Sequence, residues 1–114
     1  MKKLESDTLE YSFYLILYCA VYDYKRNMNN LGITITKDLN NIQVYENFAN
    51  VVNLLYPELQ NKQFISIIKS LENGGYIKIE ENEYFGKIIR LLYPDKKLIN
   101  RIIAKIKESE QTNQ

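Results

Sequence analysis

The segment 61–79 constrains the fold of this chain more than any other part of its sequence. Four apolar residues in it are spaced i, i+3, i+4 and i+7, which places them in one stripe along a helix: Phe64, Ile67, Ile68 and Leu71. Gly74 and Gly75 follow, and glycine commonly ends a helix because it accepts a positive φ. Tyr76, Ile77 and Ile79 then favour a strand, because aromatic and β-branched residues are enriched in strands. The pattern predicts an amphipathic helix that stops at the glycines and leads into a strand.

The opposite face of this helix is polar and carries no acidic side chain. At about 100° per residue, the side chains opposite the apolar stripe are Lys62, Ser66, Lys69 and Asn73, flanked by Gln63, Ile65 and Ser70. Amides, hydroxyls and cations are the groups that recognise base edges and phosphates. An ordinary solvated face of a core helix would carry similar residues, so the face alone leaves both interpretations open.

The same patterns of apolar spacing and turn residues predict the other elements. We expect one domain, 1–114, which is large enough to bury a core. Asn61 is the expected N-cap of the helix just described. Residues 1–7 and 109–114 are expected to be disordered tails. The other predicted elements are a helix from a cap at Asp7 or Thr8 to about Arg26, a loop at 27–32, a short strand at 33–36, a helix at 41–55, strands at 76–80 and 84–92 joined by a tight loop at 81–82, and a last helix from Pro94–Asp95 to about Glu108.

A motif in this segment resembles the winged helix-turn-helix superfamily. The matching residues are the polar Asn61, Phe64, the pair Ile67–Ile68, Leu71–Glu72, and Gly75-Tyr76-Ile77. The resemblance is to the small single-domain type found in plasmid and phage repressors and in partition and relaxosome accessory proteins. It implies an α+β fold, mainly α, with N- and C-terminal helices and a two- to three-stranded wing.

The resemblance also implies a function, which is sequence-specific binding of double-stranded DNA by a homodimer in transcription, partition or conjugative transfer. Helix 61–73 would enter the major groove and hairpin 76–93 would lie at the DNA backbone. Gln63 would recognise adenine, and the lysines guanine or phosphate. The implied DNA-binding residues are Asn61, Lys62, Gln63, Ser66, Lys69, Ser70, Lys78, Tyr84 and Lys87.

Charge supports this interpretation only in part. The chain has a net charge of +1, so a DNA site depends on local clustering and not on bulk charge. The expected wing tip carries Glu80, Glu81 and Glu83, which DNA phosphates would repel. The connector 53–60 is also longer than the superfamily pattern expects. A winged-helix module that binds protein and not DNA is therefore the alternative hypothesis, and another protein of the same mobile element is a possible partner.

The last helix offers two further alternatives. Its cations, Lys96, Lys97, Arg101, Lys105 and Lys107, outnumber the acids around them and form either a solvated face or a second DNA-contacting surface. Its isoleucine stripe is either core or a dimer seam. Winged-helix proteins of this size commonly dimerise through terminal helices, and the apolar first helix fits that role.

Several classes of protein are disfavoured. The chain has no histidine and a single cysteine, Cys19, so we expect no metal site, no cofactor and no enzymatic activity. The apolar run 13–22 is too short to cross a bilayer, and a lone cysteine fits a reducing compartment. The expected location is the cytoplasm, with no membrane partner.

Overall fold

The computed structural model describes Leu4 and residues 7–112, which form a mainly helical α+β fold, as the sequence predicted. The elements in chain order are α1 (Leu9–Asn30), a 3₁₀ turn (Lys37–Leu39), β1 (Ile42–Val44), α2 (Tyr45–Leu55), α3 (Asn61–Asn73), β2 (Ile77–Asn82), β3 (Gly86–Leu91) and α4 (Lys96–Thr112). Among the described residues, no helix is both long enough and apolar enough to span a membrane.

The three strands form one antiparallel sheet in the order β1-β3-β2. Ile89 pairs with Ile79 on one side and with Gln43 on the other. Because side chains alternate along a strand, Ile89 and Leu91 lie on the same face as Ile77, and all three are buried in the core. Arg90 lies on the outer face.

Helix α1 lies at the centre of the core and is buried along one side through Phe13, Tyr14, Leu17, Tyr18 and Val21. Three aromatic rings from α1, α2 and α3 meet there. The ring centre of Phe13 is 5.6 Å from that of Phe64 and 5.9 Å from that of Phe48. These contacts fix α2 and α3 against α1.

The apolar stripe of α4 belongs to this core. Leu98 and Ile102 are fully buried in it, and Ile99, Ile103 and Ile106 pack against it. The sequence left open whether this stripe is part of the core or a dimer seam, and the structure supports its place in the core.

Helix α1 is longer than predicted. Its cap at Thr8 is confirmed, since the hydroxyl oxygen accepts a hydrogen bond from the Tyr11 backbone N–H at 3.2 Å. The predicted loop at 27–32 is mostly wrong, because the helix continues to Asn30 before Gly32 turns the chain with a φ of 74°. Asn27, Asn29 and Asn30 are exposed, so no burial cost opposes the extra turn.

The first strand also differs from the prediction. Residues 33–36 form no strand, and β1 instead takes Ile42–Val44 from the start of the predicted second helix. The cause is pairing of this segment with β3. The carbonyl of the preceding residue, Asn41, also accepts a hydrogen bond from the Leu91 N–H of β3 at 2.8 Å. The hairpin loop is at 83–85 and not at 81–82.

The predicted disordered tail at 109–114 and the predicted N-cap of α3 need correction. Residues 109–112 are helical and not a disordered tail, and Glu110 accepts a hydrogen bond from Arg26 of α1 at 2.7 Å. The other predicted tail residues, 1–3, 5, 6, 113 and 114, lie outside the described part of the chain. Asn61 is the first residue of α3 and not its cap, because Gln60 occupies the N-cap position.

Candidate nucleic-acid interface

Helix α3 turns its polar face outward, as the sequence predicted. Its bounds are 61–73, and the stripe from Phe64 to Leu71 is buried. Lys62, Ser66, Lys69 and Ser70 are all exposed. An open surface depression of about 610 Å³ runs along this face and the end of the helix, lined by Ile65, Ser66, Lys69, Ser70, Asn73 and Gly74. The structure thus groups four predicted contacts, Lys62, Ser66, Lys69 and Ser70, on one accessible surface.

Two contacts set the position of α3 relative to its neighbours. The Phe64 ring packs edge-on against Tyr45 at the start of α2, with ring centres 5.9 Å apart. At the other end, the Glu72 carboxylate accepts a hydrogen bond from the Ile79 N–H of β2 at 3.1 Å. Glu72, the acid of α3, is thus engaged with the hairpin, although its carboxylate stays exposed and charged.

Gln63 has a structural role in addition to any role in binding. Its side-chain oxygen accepts a hydrogen bond from the Gln60 backbone N–H at 3.0 Å, which closes the first turn of α3. Bidentate recognition of adenine uses both the oxygen and the nitrogen of a glutamine amide. Base recognition by Gln63 would therefore compete with its capping bond, while Asn61 beside it is exposed.

The hairpin does not bring its predicted contacts together. Lys78 pairs with Arg90, and Lys87 pairs with Glu81. Because Lys78 and Glu81 are an odd number of residues apart on β2, the two lysines lie on opposite faces of the sheet. The Lys78 ammonium lies 3.5 Å from Glu80. The Lys87 ammonium lies 4.2 Å from the ring centre of Tyr45. A duplex lying against one face of the hairpin would meet only one of these lysines.

Tyr84 lies at the tip of the hairpin and is 78% exposed. The tip is closed by the Asn82 side chain, whose oxygen accepts hydrogen bonds from the Tyr84 and Phe85 N–H groups at 2.8 and 3.1 Å. Gly86 completes the turn with a φ of 73°. Phe85 beside it is 45% exposed and lies next to Ile42 and Val44 of β1.

The acidic residues of the hairpin divide into two groups. Glu80 accepts a hydrogen bond from Arg90 at 3.0 Å on the outer face. Glu81 and Glu83 are exposed at the tip. The tip therefore presents negative charge beside Tyr84, which opposes close contact with phosphates.

Two residues of the α3 face were not among the predicted contacts, Ile65 and Asn73. Both line the depression, and Ile65 is 40% exposed although it is apolar. An exposed aliphatic side chain on a polar helix face can contact the methyl group of thymine. Their helical spacing from Ser66 and Lys69 could have predicted from the sequence that both belong to this face.

Helix α4 presents a second positive surface. Five cations of α4 are exposed, on a helix whose other side buries Leu98 and Ile102. They are Lys96, Lys97, Arg101, Lys105 and Lys107.

No protein-family model, curated protein or solved structure matches this chain.

Proposed function

We propose that this protein is a sequence-specific double-stranded DNA-binding protein that places α3 in the major groove and acts without a cofactor. The observation that carries the proposal is the exposed polar face of α3, where Lys62, Ser66 and Lys69 project from a helix fixed by its buried stripe. The major groove is wide enough to admit an α-helix that carries such a face.

The order of the elements supports the same proposal. A three-helix unit followed by a hairpin, with β1 added to the hairpin sheet, is compatible with a winged helix-turn-helix. In that arrangement, α3 is the recognition helix and the β2–β3 hairpin is the wing. The proposed role is that of a homodimeric regulator or site-binding protein in the cytoplasm, of the kind carried by plasmids and phages.

One observation favours a second candidate function, a winged-helix module that binds protein. The hairpin tip combines two exposed aromatic side chains, Tyr84 and Phe85, with the acids Glu81 and Glu83. Exposed aromatic residues are typical anchors of protein interfaces, and the acids disfavour DNA there.

Salt-dependent binding to duplex DNA separates these two functions. Fluorescence anisotropy with a random-sequence duplex gives the slope of log affinity against log salt concentration. Each lysine that neutralises a phosphate contributes about 0.9 to that slope. The double variant Lys62→Ala/Lys69→Ala is expected to bind more weakly and to lower the slope by about 2.

A matched control removes the same charge from α4. Lys105→Ala/Lys107→Ala is expected to change the slope by less than the α3 variant does. Loss of binding only in the α4 variant would show that α3 is not the DNA-contacting helix. Absence of salt-dependent binding in the unmodified protein would favour the protein-binding module.

A further inference from the structure

An apolar groove lies between α1 and α2, on a different side of α1 from the buried core stripe. Its lining includes Ile16, Cys19 and Ala20 of α1 and Val51 and Leu55 of α2, and its volume is about 410 Å³. We call it the α1–α2 groove. This groove is the part of the apolar surface of α1 that the core leaves open.

A ridge of exposed leucines stands beside the groove. Leu54 is 82% exposed and Leu55 is 58% exposed, at the end of α2. A second depression continues from Leu55 to Leu9 at the start of α1. Isolated exposed leucines are ordinary on protein surfaces, but a contiguous apolar ridge and groove marks a binding face.

The two chain segments that carry the groove contain no charged residue, and Glu58 lies in the second depression, beyond Leu55. Residues 11–22 of α1 and residues 47–57, which include most of α2, contain no Asp, Glu, Lys or Arg. In a twofold dimer the same patch lies opposite itself, so a charge near the axis meets a like charge. An uncharged patch avoids that repulsion, whereas a face that binds a membrane surface is usually rimmed by cations.

We propose that the α1–α2 groove is the docking site for a second copy of this chain. The ridge at Leu54 and Leu55 of each copy fills the groove of the other, and the contact is reciprocal because ridge and groove adjoin on one chain. The apolar stripe of α4 cannot serve as this seam because it is already used in the core. This proposal specifies the homodimer of the proposed function, but it does not depend on DNA binding.

Sedimentation velocity and light scattering at micromolar concentration test the proposal. The unmodified chain is expected to be a dimer, and Leu54→Asp is expected to be a monomer because it places a carboxylate in the seam. Leu54 is too exposed for this change to unfold the monomer, which circular dichroism checks. The control Leu31→Asp alters a side chain that is 69% exposed and lies outside the groove, and it is expected to stay dimeric.

The single native cysteine provides an independent readout. Cys19 lines the groove and is the only cysteine in the chain, so its rate of alkylation by N-ethylmaleimide at neutral pH reports whether the groove is covered. Slow alkylation is expected in the unmodified protein and in Leu31→Asp, and faster alkylation in Leu54→Asp. Cys19→Ser is the control for reaction at other groups.

Three outcomes would overturn the proposal. They are an unmodified protein that is monomeric, a Leu54→Asp variant that stays dimeric, and a dimer in which Cys19 is alkylated as fast as in Leu54→Asp. A monomer that still binds duplex DNA with a steep salt dependence would overturn the docking site alone and leave the proposed function standing.

Discussion

The ammonium of Lys87 lies 4.2 Å from the centre of the Tyr45 ring. The same ring packs edge-on against Phe64 of α3. One aromatic side chain at the start of α2 therefore connects the hairpin to the proposed recognition helix. Lys87, which the sequence placed among the DNA contacts, has this structural contact in addition.

Removing the Lys87 ammonium is expected to destabilise the protein modestly. Cation–π contacts at exposed sites contribute about 0.5–1 kcal/mol, so Lys87→Met, which keeps the apolar stem, should lower the free energy of unfolding by that amount. Urea denaturation of Lys87→Met, Tyr45→Leu and the double variant gives the coupling energy directly. Additive effects in this cycle would show that the two side chains do not interact in solution.

The hydrogen bond between Glu72 and Ile79 yields a second prediction. Glu72→Ala removes the acceptor of the Ile79 N–H on the open edge of β2, and a hydrogen bond of this kind contributes about 1 kcal/mol. Amide hydrogen exchange at Ile79 should become about fivefold faster. Glu72→Gln keeps an acceptor oxygen and serves as the control. Equal exchange rates in all three proteins would contradict a role for Glu72 in holding the wing.

The sequence predicted α3 well because all its signals are local. The apolar spacing from Phe64 to Leu71 and the glycines at 74–75 lie within one segment, and the structure gives the predicted bounds of 61–73. Strand β1 was missed for the opposite reason. Only pairing with residues 88–90 of β3, far along the chain, makes Ile42–Val44 a strand.

The candidate site shows the same division. The exposed face of α3 followed from helical periodicity, but the hairpin contacts depended on strand register. A two-residue loop at 81–82 would place Lys78 and Lys87 on one face. The actual three-residue loop at 83–85 pairs Lys78 with Arg90 and Glu81 with Lys87, which places the two lysines on opposite faces. Register was not visible in the sequence, so neither was this separation.

The buried hydroxyl of Tyr14 makes stability sensitive to alkaline pH. It donates a hydrogen bond to the Leu92 carbonyl at 2.6 Å, and burial, followed by the nearby Tyr93 and Tyr18, raises its pKa. Because the folded pKa lies above the unfolded value of about 10, the contribution is complete below about pH 10. It is lost as pH rises through the folded pKa.

Tyr14→Phe tests this linkage. The variant should lose about 1 kcal/mol at neutral pH because the hydrogen bond is absent. The difference from the unmodified protein should shrink above about pH 10. There, ionisation of Tyr14 in the unfolded state lowers the stability of the unmodified protein, and the variant has no hydroxyl at this position to ionise. Urea midpoints across that pH range measure both effects, and Tyr84→Phe, at an exposed tyrosine, is expected to leave the neutral-pH midpoint unchanged. A constant difference at all pH values would contradict the linkage.

Arg90 ties the sheet to the segment before β1, and its geometry predicts that lysine cannot replace it. Its Nε donates to Glu80 at 3.0 Å, and one terminal nitrogen donates to the Asp38 carbonyl and the Asn41 side-chain oxygen, each at 3.0 Å. A lysine keeps the charge but lacks the planar fork that reaches all three acceptors.

We expect Arg90→Lys to lower the free energy of unfolding by about 1–2 kcal/mol and to speed amide exchange in β1 before the rest of the sheet. The control is Lys78→Ala, which removes an exposed cation from the same Glu80 and should cost less than about 0.5 kcal/mol. Equal losses in the two variants would show that charge near Glu80, and not the hydrogen-bonding fork of Arg90, holds this edge of the sheet.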